Sequence, residues 1–199
     1  MFVGLTGGTG CGKTTALECF SSLDWKTLDA DNICHEIYGD AGSGVPGALM
    51  KRWGAGCFSK DGSPDRKRIA ELVFNDSVEL LWLNNLLHPE VLRRAREAAG
   101  KSRNRHVIFA VPLLFESGWE KEFDLTIAVW TDRETQYARL GGRGWSEKEI
   151  GMRCGCQFSP ERKMELADYA IINSGSQSFL FEQCEKLNNQ IRENYGKKI

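Results

Sequence analysis

The chain has no long hydrophobic run and no excess of charge of one sign. None of its apolar stretches approaches the ~20 residues that a transmembrane helix requires, so no membrane association is expected. Its 26 Lys and Arg against 27 Asp and Glu leave a formal net charge of −1, which gives no general drive toward nucleic acid or an anionic surface. The expected partner is a small molecule, and any phosphate recognition has to come from local basic clusters. The N-terminus lacks a basic region followed by a cleavage site, and no internal repeat or low-complexity tract is present, so a cytoplasmic, unprocessed protein is expected. Seven cysteines, an odd number scattered at 11, 19, 34, 57, 154, 156 and 184, do not make a disulfide framework and suit reduced thiols. Cys154-x-Cys156 is too closely spaced for a C-x-x-C zinc knuckle and has no second pair or His nearby.

What is present begins almost at the first residue. Gly7-Gly8-Thr9-Gly10-Cys11-Gly12-Lys13-Thr14 satisfies G-x-x-x-x-G-K-S/T and follows the apolar run Phe2 to Leu5. A glycine-rich turn between a strand and a helix points successive backbone N–H groups at a phosphate, and Lys13 adds a point charge for the β and γ oxygens. The helix N-terminus adds a favourable dipole, and the Thr14 hydroxyl is a candidate Mg²⁺ ligand. A dinucleotide fingerprint starting at Gly8 would need Gly where Lys13 stands.

At 199 residues the chain is most simply one α/β domain with insertions. Apolar runs at Phe2 to Leu5, Trp25 to Leu28, His106 to Val111, Leu125 to Trp130 and Tyr169 to Ile172 read as five buried parallel strands. Helices are expected from Pro89 to Ala99 with Gly100 at its end, after a capping box Thr131-x-x-Glu134, after a second box Ser146-x-x-Glu149, from Ser159-Pro160, and from about Gln177 to Tyr195. The Gly-rich stretch Gly39 to Pro64 reads as an insertion with a turn at Asp61-Gly62, and Gly141-Gly142-Arg143-Gly144 as a break flanking a basic lid or a plain surface loop.

A phosphate loop says nucleotide, not reaction. Asp29-Ala30-Asp31 ends the second strand, where parallel sheets place ligands, and extended-chain alternation would turn both carboxylates to one side. One could take a proton from an acceptor hydroxyl while the other holds Mg²⁺-bound water; the alternative is a helix cap at Asp31 with a solvated Asp29. The strand ending at Val111 runs into Pro112-Leu113-Leu114-Phe115-Glu116 without the terminal Asp of a Walker B strand, and no Asn-Lys-x-Asp guanine signature occurs. Arg139, Arg143 and Arg153 could close over the phosphates or could form a solvated helical face, and Arg66, Lys67 and Arg68 could receive an anionic acceptor. These residues fit a kinase of small hydroxyl acceptors, and leave open a nucleotide-binding switch without an acceptor.

The residues also carry a resemblance. Gly4-Leu5-Thr6-Gly7-Gly8, Leu28-Asp29-Ala30-Asp31, Asp65-Arg66, Val73-Phe74, Leu87-His88-Pro89, Val111 to Glu116, Thr135-Gln136, Arg139, Arg143, Arg153, Gln157, Ala167-Asp168-Tyr169 and Asn173, in that order, make the chain similar to the dephospho-coenzyme A kinases over nearly its whole length. The resemblance implies a P-loop kinase fold of the α/β class, with a five-stranded parallel sheet flanked by helices. It implies a nucleotide core at 1–33, 90–138 and 168–199, a helical acceptor-binding region at 34–89 and a lid at 139–167. The implied reaction is ATP-dependent phosphorylation of the 3′-hydroxyl of the dephospho-coenzyme A ribose by a monomer or small homo-oligomer. Gly10, Cys11, Gly12, Lys13, Thr14 and Thr15 would bind ATP phosphates, with Asn173 near the adenine; Asp31 would be the base and Asp29 its support. Lys13, Arg139 and Arg143 would assist transfer, Arg66 and His88 would serve the acceptor beside Asp29 and Asp31, and Thr14 and Asp29 would serve Mg²⁺. The chain departs from the family pattern at Thr9 and Cys11, where Ile and Ser are usual, at His35, where Arg is common, and in lacking an acidic residue after Arg143.

Overall fold

A computed structural model describes residues 1–74, 76–102 and 106–195. Its strands are β1 (Phe2–Gly7), β2 (Lys26–Asp29), β3 (Val107–Ala110), β4 (Leu125–Trp130) and β5 (Tyr169–Ile172), and its helices are α1 (Lys13–Ser22), α2 (Ala30–Gly39), α3 (Val45–Trp53), α4 (Arg66–Phe74), α5 (Ser77–Gly100), α6 (Arg133–Gly141), α7 (Glu147–Gly155), α8 (Pro160–Leu166) and α9 (Gln177–Tyr195). All five strands pair in parallel in the order β2-β3-β1-β4-β5. Every apolar run read as a strand is one: β4 and β5 have the bounds read, and the other three differ by one or two residues at their ends. The chain divides into two compact units, one comprising Met1–Asp29 with Ser102–Ile199 and the other Ala30–Lys101.

In the first unit the central strands are apolar on both faces because both are covered. Val3, Leu5, Ile108, Ile127 and Val129 join Ala16, Leu17 and Phe20 of α1 and Leu180, Cys184, Leu187 and Ile191 of α9 in one buried cluster. The opposite face packs against α8. There Gly4 leaves room for apolar neighbours, since a Cβ on it would stand 2.6 Å from Leu114 Cδ1. The chain turns from one side of β1 to the other between β3 and β4, so the loop leaving β1 sits where open parallel sheets bind ligands.

The second unit, among its described residues, is helical. Leu83, Leu87, Val91 and Ala95 form a buried stripe along α5, spaced four residues apart. That stripe explains one correction: the helix expected from Pro89 to Ala99 is the second half of α5. Proline removes one intrahelical hydrogen bond at position 89, but the buried stripe runs through it while Pro89 itself faces solvent. The N-terminus of α5 is held by Asp76, whose carboxylate accepts from the N–H groups of Val78 (2.8 Å) and Glu79 (3.2 Å). The stretch Gly39 to Pro64 holds α3 and two short 3₁₀ turns, Ala41–Ser43 and Gly54–Cys57, and Gly62 takes φ 83° in the expected turn.

Two further boundaries concern the region around α6 and α7. The cap of α6 is Asp132, not Thr131: Asp132 Oδ1 accepts from the Thr135 N–H at 2.8 Å, while the Thr131 hydroxyl is buried and donates to the Asn173 carbonyl at 3.1 Å. The capping box at Ser146 and Glu149 is present in both directions.

Candidate active site

The loop between β1 and α1 is built by glycines in conformations that a side chain would strain. Gly10 has φ 81° and Gly12, the N-cap of α1, has φ 93°. No side chain caps α1, so the first-turn N–H groups remain directed at the loop, as an anion requires. Lys13 arches back over it, its ammonium donating to the carbonyls of Gly7 (2.9 Å) and Gly8 (3.2 Å). Thr14 is exposed in the first turn of α1 and Thr15 is half-buried. Cys11 is buried, so what it presents to the loop is its backbone.

Two distant side chains finish the loop. Asn173 Nδ2 donates to the Cys11 carbonyl at 2.9 Å, and Gln136 Nε2 donates to the Thr9 carbonyl at 2.6 Å. Asn173 thereby braces the loop from the end of β5. A Cβ on Gly12 would stand 2.0 Å from that same Asn173 nitrogen. Gly12→Ala is therefore expected to weaken ATP binding by about tenfold or more, from the clash together with the ~1–2 kcal/mol cost of left-handed backbone in a residue with a Cβ. Calorimetric titration with ATP checks it; an unchanged Kd would mean that the loop does not depend on this conformation.

Of the arginines on and after α6, Arg139 reaches the loop: its Nη1 is buried, 3.8 Å from where a Gly12 Cβ would stand, and has no hydrogen-bond partner among the described residues. Arg143 is exposed in the turn after α6, and the Arg153 guanidinium lies 4.3 Å over the Trp145 ring.

The acidic pair needs one correction. Asp29 is the last residue of β2, half-buried, but the helix α2 starts at Ala30, so Asp31 is exposed in its first turn and the extended-chain alternation stops short of it. A carboxylate is favoured there by the helix dipole. Arg66, exposed at the start of α4, and His88, half-buried in α5, belong to the second unit, and burial pushes the His88 imidazole below its ordinary value.

The sequence reading assigned no role to Lys163, Glu116 or Gln136. Lys163 of α8 is completely buried, pairs with Glu116 at 2.9 Å and also donates to the Pro112 carbonyl. Burial lowers its pKa, against the raising effect of Glu116. The same Glu116 oxygen accepts from the Phe158 N–H at 2.7 Å, so the residues after β3 and those before α8 are tied together. Within Glu161-Arg162-Lys163 nothing in the spacing distinguishes this lysine from a solvated one. A cavity of about 260 Å³ lies beside Gly8 and Thr9, lined also by Gln136, Tyr137, Cys154 and Gln157.

A phosphate loop at the switch point of a five-stranded parallel sheet defines a P-loop kinase fold. The shikimate kinase of Acinetobacter baumannii shares that fold with a TM-score of 0.54 at 18% identity, covering 98% of this chain and 94% of its own. The family model described as dephospho-CoA kinase matches residues 1–178. The dephospho-CoA kinase of Sodalis glossinidius is 35% identical over 174 residues, 87% of this chain and 83% of its own. The solved structure of TT1252 from Thermus thermophilus superposes with a TM-score of 0.84 at 28% identity, covering 96% of this chain and 97% of that one. The chain belongs to the dephospho-CoA kinase family.

Proposed function

We propose that the chain transfers the γ-phosphoryl group of ATP to the 3′-hydroxyl of the ribose of dephospho-coenzyme A, giving coenzyme A and ADP. The observation that carries this reading, beside family membership, is the braced loop with Lys13 across it and, at its edge, the buried Arg139 Nη1, which has no hydrogen-bond partner among the described residues. Loop N–H groups and Lys13 hold the β and γ phosphates; Arg139 donates to the charge that spreads over the transferring group. Asp31 takes the proton of the acceptor hydroxyl, and Asp29 orients it. Asn173 serves the nucleotide side through the loop that it braces. Arg143 follows the phosphates from the proposed lid, residues 139–167. Residues 34–89, with Arg66 and His88, receive the acceptor.

Among the described residues no group of three or more His, Cys, Asp or Glu side chains is placed to hold a metal ion. The exposed Thr14 hydroxyl and the Asp29 carboxylate would hold Mg²⁺ arriving with the nucleotide phosphates. When bound it neutralises phosphate charge. No helix among the described residues is long and apolar enough to cross a membrane, and we place the reaction in the cytoplasm, carried out by a monomer or small homo-oligomer.

An ADP-release assay with ATP and Mg²⁺, comparing dephospho-coenzyme A with adenosine, AMP and no acceptor, tests the reading. Release dependent on dephospho-coenzyme A, with a new 3′-phosphate on the product, is expected. Equal release with every acceptor would overturn it.

A further inference from the structure

Two thiols share one amide neighbour beside the phosphate loop. Gln136 Nε2, while donating to the Thr9 carbonyl, lies 3.9 Å from Cys11 Sγ and 3.8 Å from Cys154 Sγ. Cys11 is buried inside the loop, whereas Cys154, on α7, is half-buried and lines the cavity beside Gly8 and Thr9. The Lys13 charge acts on the Cys11 thiol and the Arg133 charge on the Cys154 thiol, each toward the thiolate, against a stronger opposing effect of burial. We infer that Cys11 and Cys154 form an oxidation site at which a hydroperoxide closes a disulfide beside Gln136 and switches off nucleotide binding.

The chemistry balances with hydrogen peroxide as oxidant. The Cys154 sulfur, reached through the cavity, attacks one peroxide oxygen; the O–O bond breaks, a sulfenic acid forms and water leaves. The Cys11 sulfur then attacks the Cys154 sulfur; the S–S bond forms, the S–O bond breaks and a second water leaves. Two electrons pass from the thiols to peroxide. Because the Gln136 amide nitrogen lies within 4 Å of both sulfurs, closing the bond displaces it and breaks its 2.6 Å hydrogen bond to the Thr9 carbonyl. It also pulls Cys11, whose carbonyl is the one Asn173 holds. Burial keeps the thiolate fraction small, so the reaction is slow and the site responds to sustained oxidant.

This inference rests on the loop being the nucleotide site, and its test separates the two. The full chain is treated with hydrogen peroxide with and without ATP, then analysed for disulfides by peptide mass mapping and for ATP affinity by calorimetry. The expected result is a Cys11–Cys154 disulfide, an ATP affinity reduced at least about tenfold, protection by ATP and recovery with dithiothreitol. Cys154→Ser is expected to bind ATP as the untreated parent does and to keep that affinity in peroxide, whereas Cys156→Ser responds like the parent. A disulfide mapped elsewhere, or loss of ATP affinity in Cys154→Ser at the parent's rate, overturns the inference. The disulfide forming without loss of ATP affinity confines the site to chemistry and refutes the switch. Failure of the reduced protein to bind ATP instead counts against the nucleotide-site reading, while the mapped disulfide still decides whether the thiol pair reacts.

Discussion

Replacing Lys13 with Ala is expected to lower kcat/KM by about 10²–10³, equivalent to about 2.7–4 kcal/mol of lost transition-state stabilisation. The ammonium is held over the loop by the Gly7 and Gly8 carbonyls, so it is already positioned when the phosphates arrive. Charge developing on the transferring group would meet no compensating cation at that point. The loss belongs to the site and not to the fold, since α1 is anchored by Ala16, Leu17 and Phe20 on its other side. Steady-state kinetics checks the first half, and a Tm within a few degrees of the parent checks the second. Lys13→Arg is not expected to rescue activity, because a planar fork does not replace a compact point charge. Unchanged kinetics in Lys13→Ala would refute the phosphate-loop assignment.

Asp31→Asn is expected to lower kcat by about 10²–10⁴, the contribution typical of general-base assistance, and to leave ATP affinity nearly unchanged. Asn keeps the shape and loses the charge and the basicity. Asp31 is exposed in the first turn of α2, where the helix dipole favours its carboxylate by about 0.3–1 kcal/mol, and a Tm within a few degrees of the parent checks that the fold is kept. The kinetic split makes the experiment decisive: a fall in kcat with ATP binding retained places Asp31 at the proton transfer. A variant that turns over normally removes Asp31 from that role, and Asp29 becomes the carboxylate to test.

The phosphate loop and the five strands were legible because each is a local signal: a motif of strict spacing, and continuous apolar runs that only a doubly covered parallel sheet demands. The failures have local causes too. Pro89 argued for a helix start, and a buried stripe beginning at Leu83 overrode it. Thr131 looked like a cap because threonine often is one, but its hydroxyl is spent on Asn173, leaving Asp132 to close the helix. Asp31 was placed on an extended backbone that ends two residues earlier. Lys163 and Gln136 could not be found from spacing, since what makes them matter is burial and partners far along the chain. Asn173 came from the resemblance, and its hold on Cys11 was visible only in three dimensions.

The two braces of the phosphate loop join residues 127 and 162 positions apart, which places the finished receptor at the end of folding and not at its beginning. The motif precedes both partners in chain order, yet neither the Thr9 carbonyl nor the Cys11 carbonyl has its partner until α6 and then β5 have docked. A chain truncated after β4 would carry every letter of the motif without its two braces. A nucleotide held by the braced loop is thus a ligand for the completed sheet: it would draw the equilibrium toward molecules whose last strand is in place, and its binding would report the native fraction of the whole first unit.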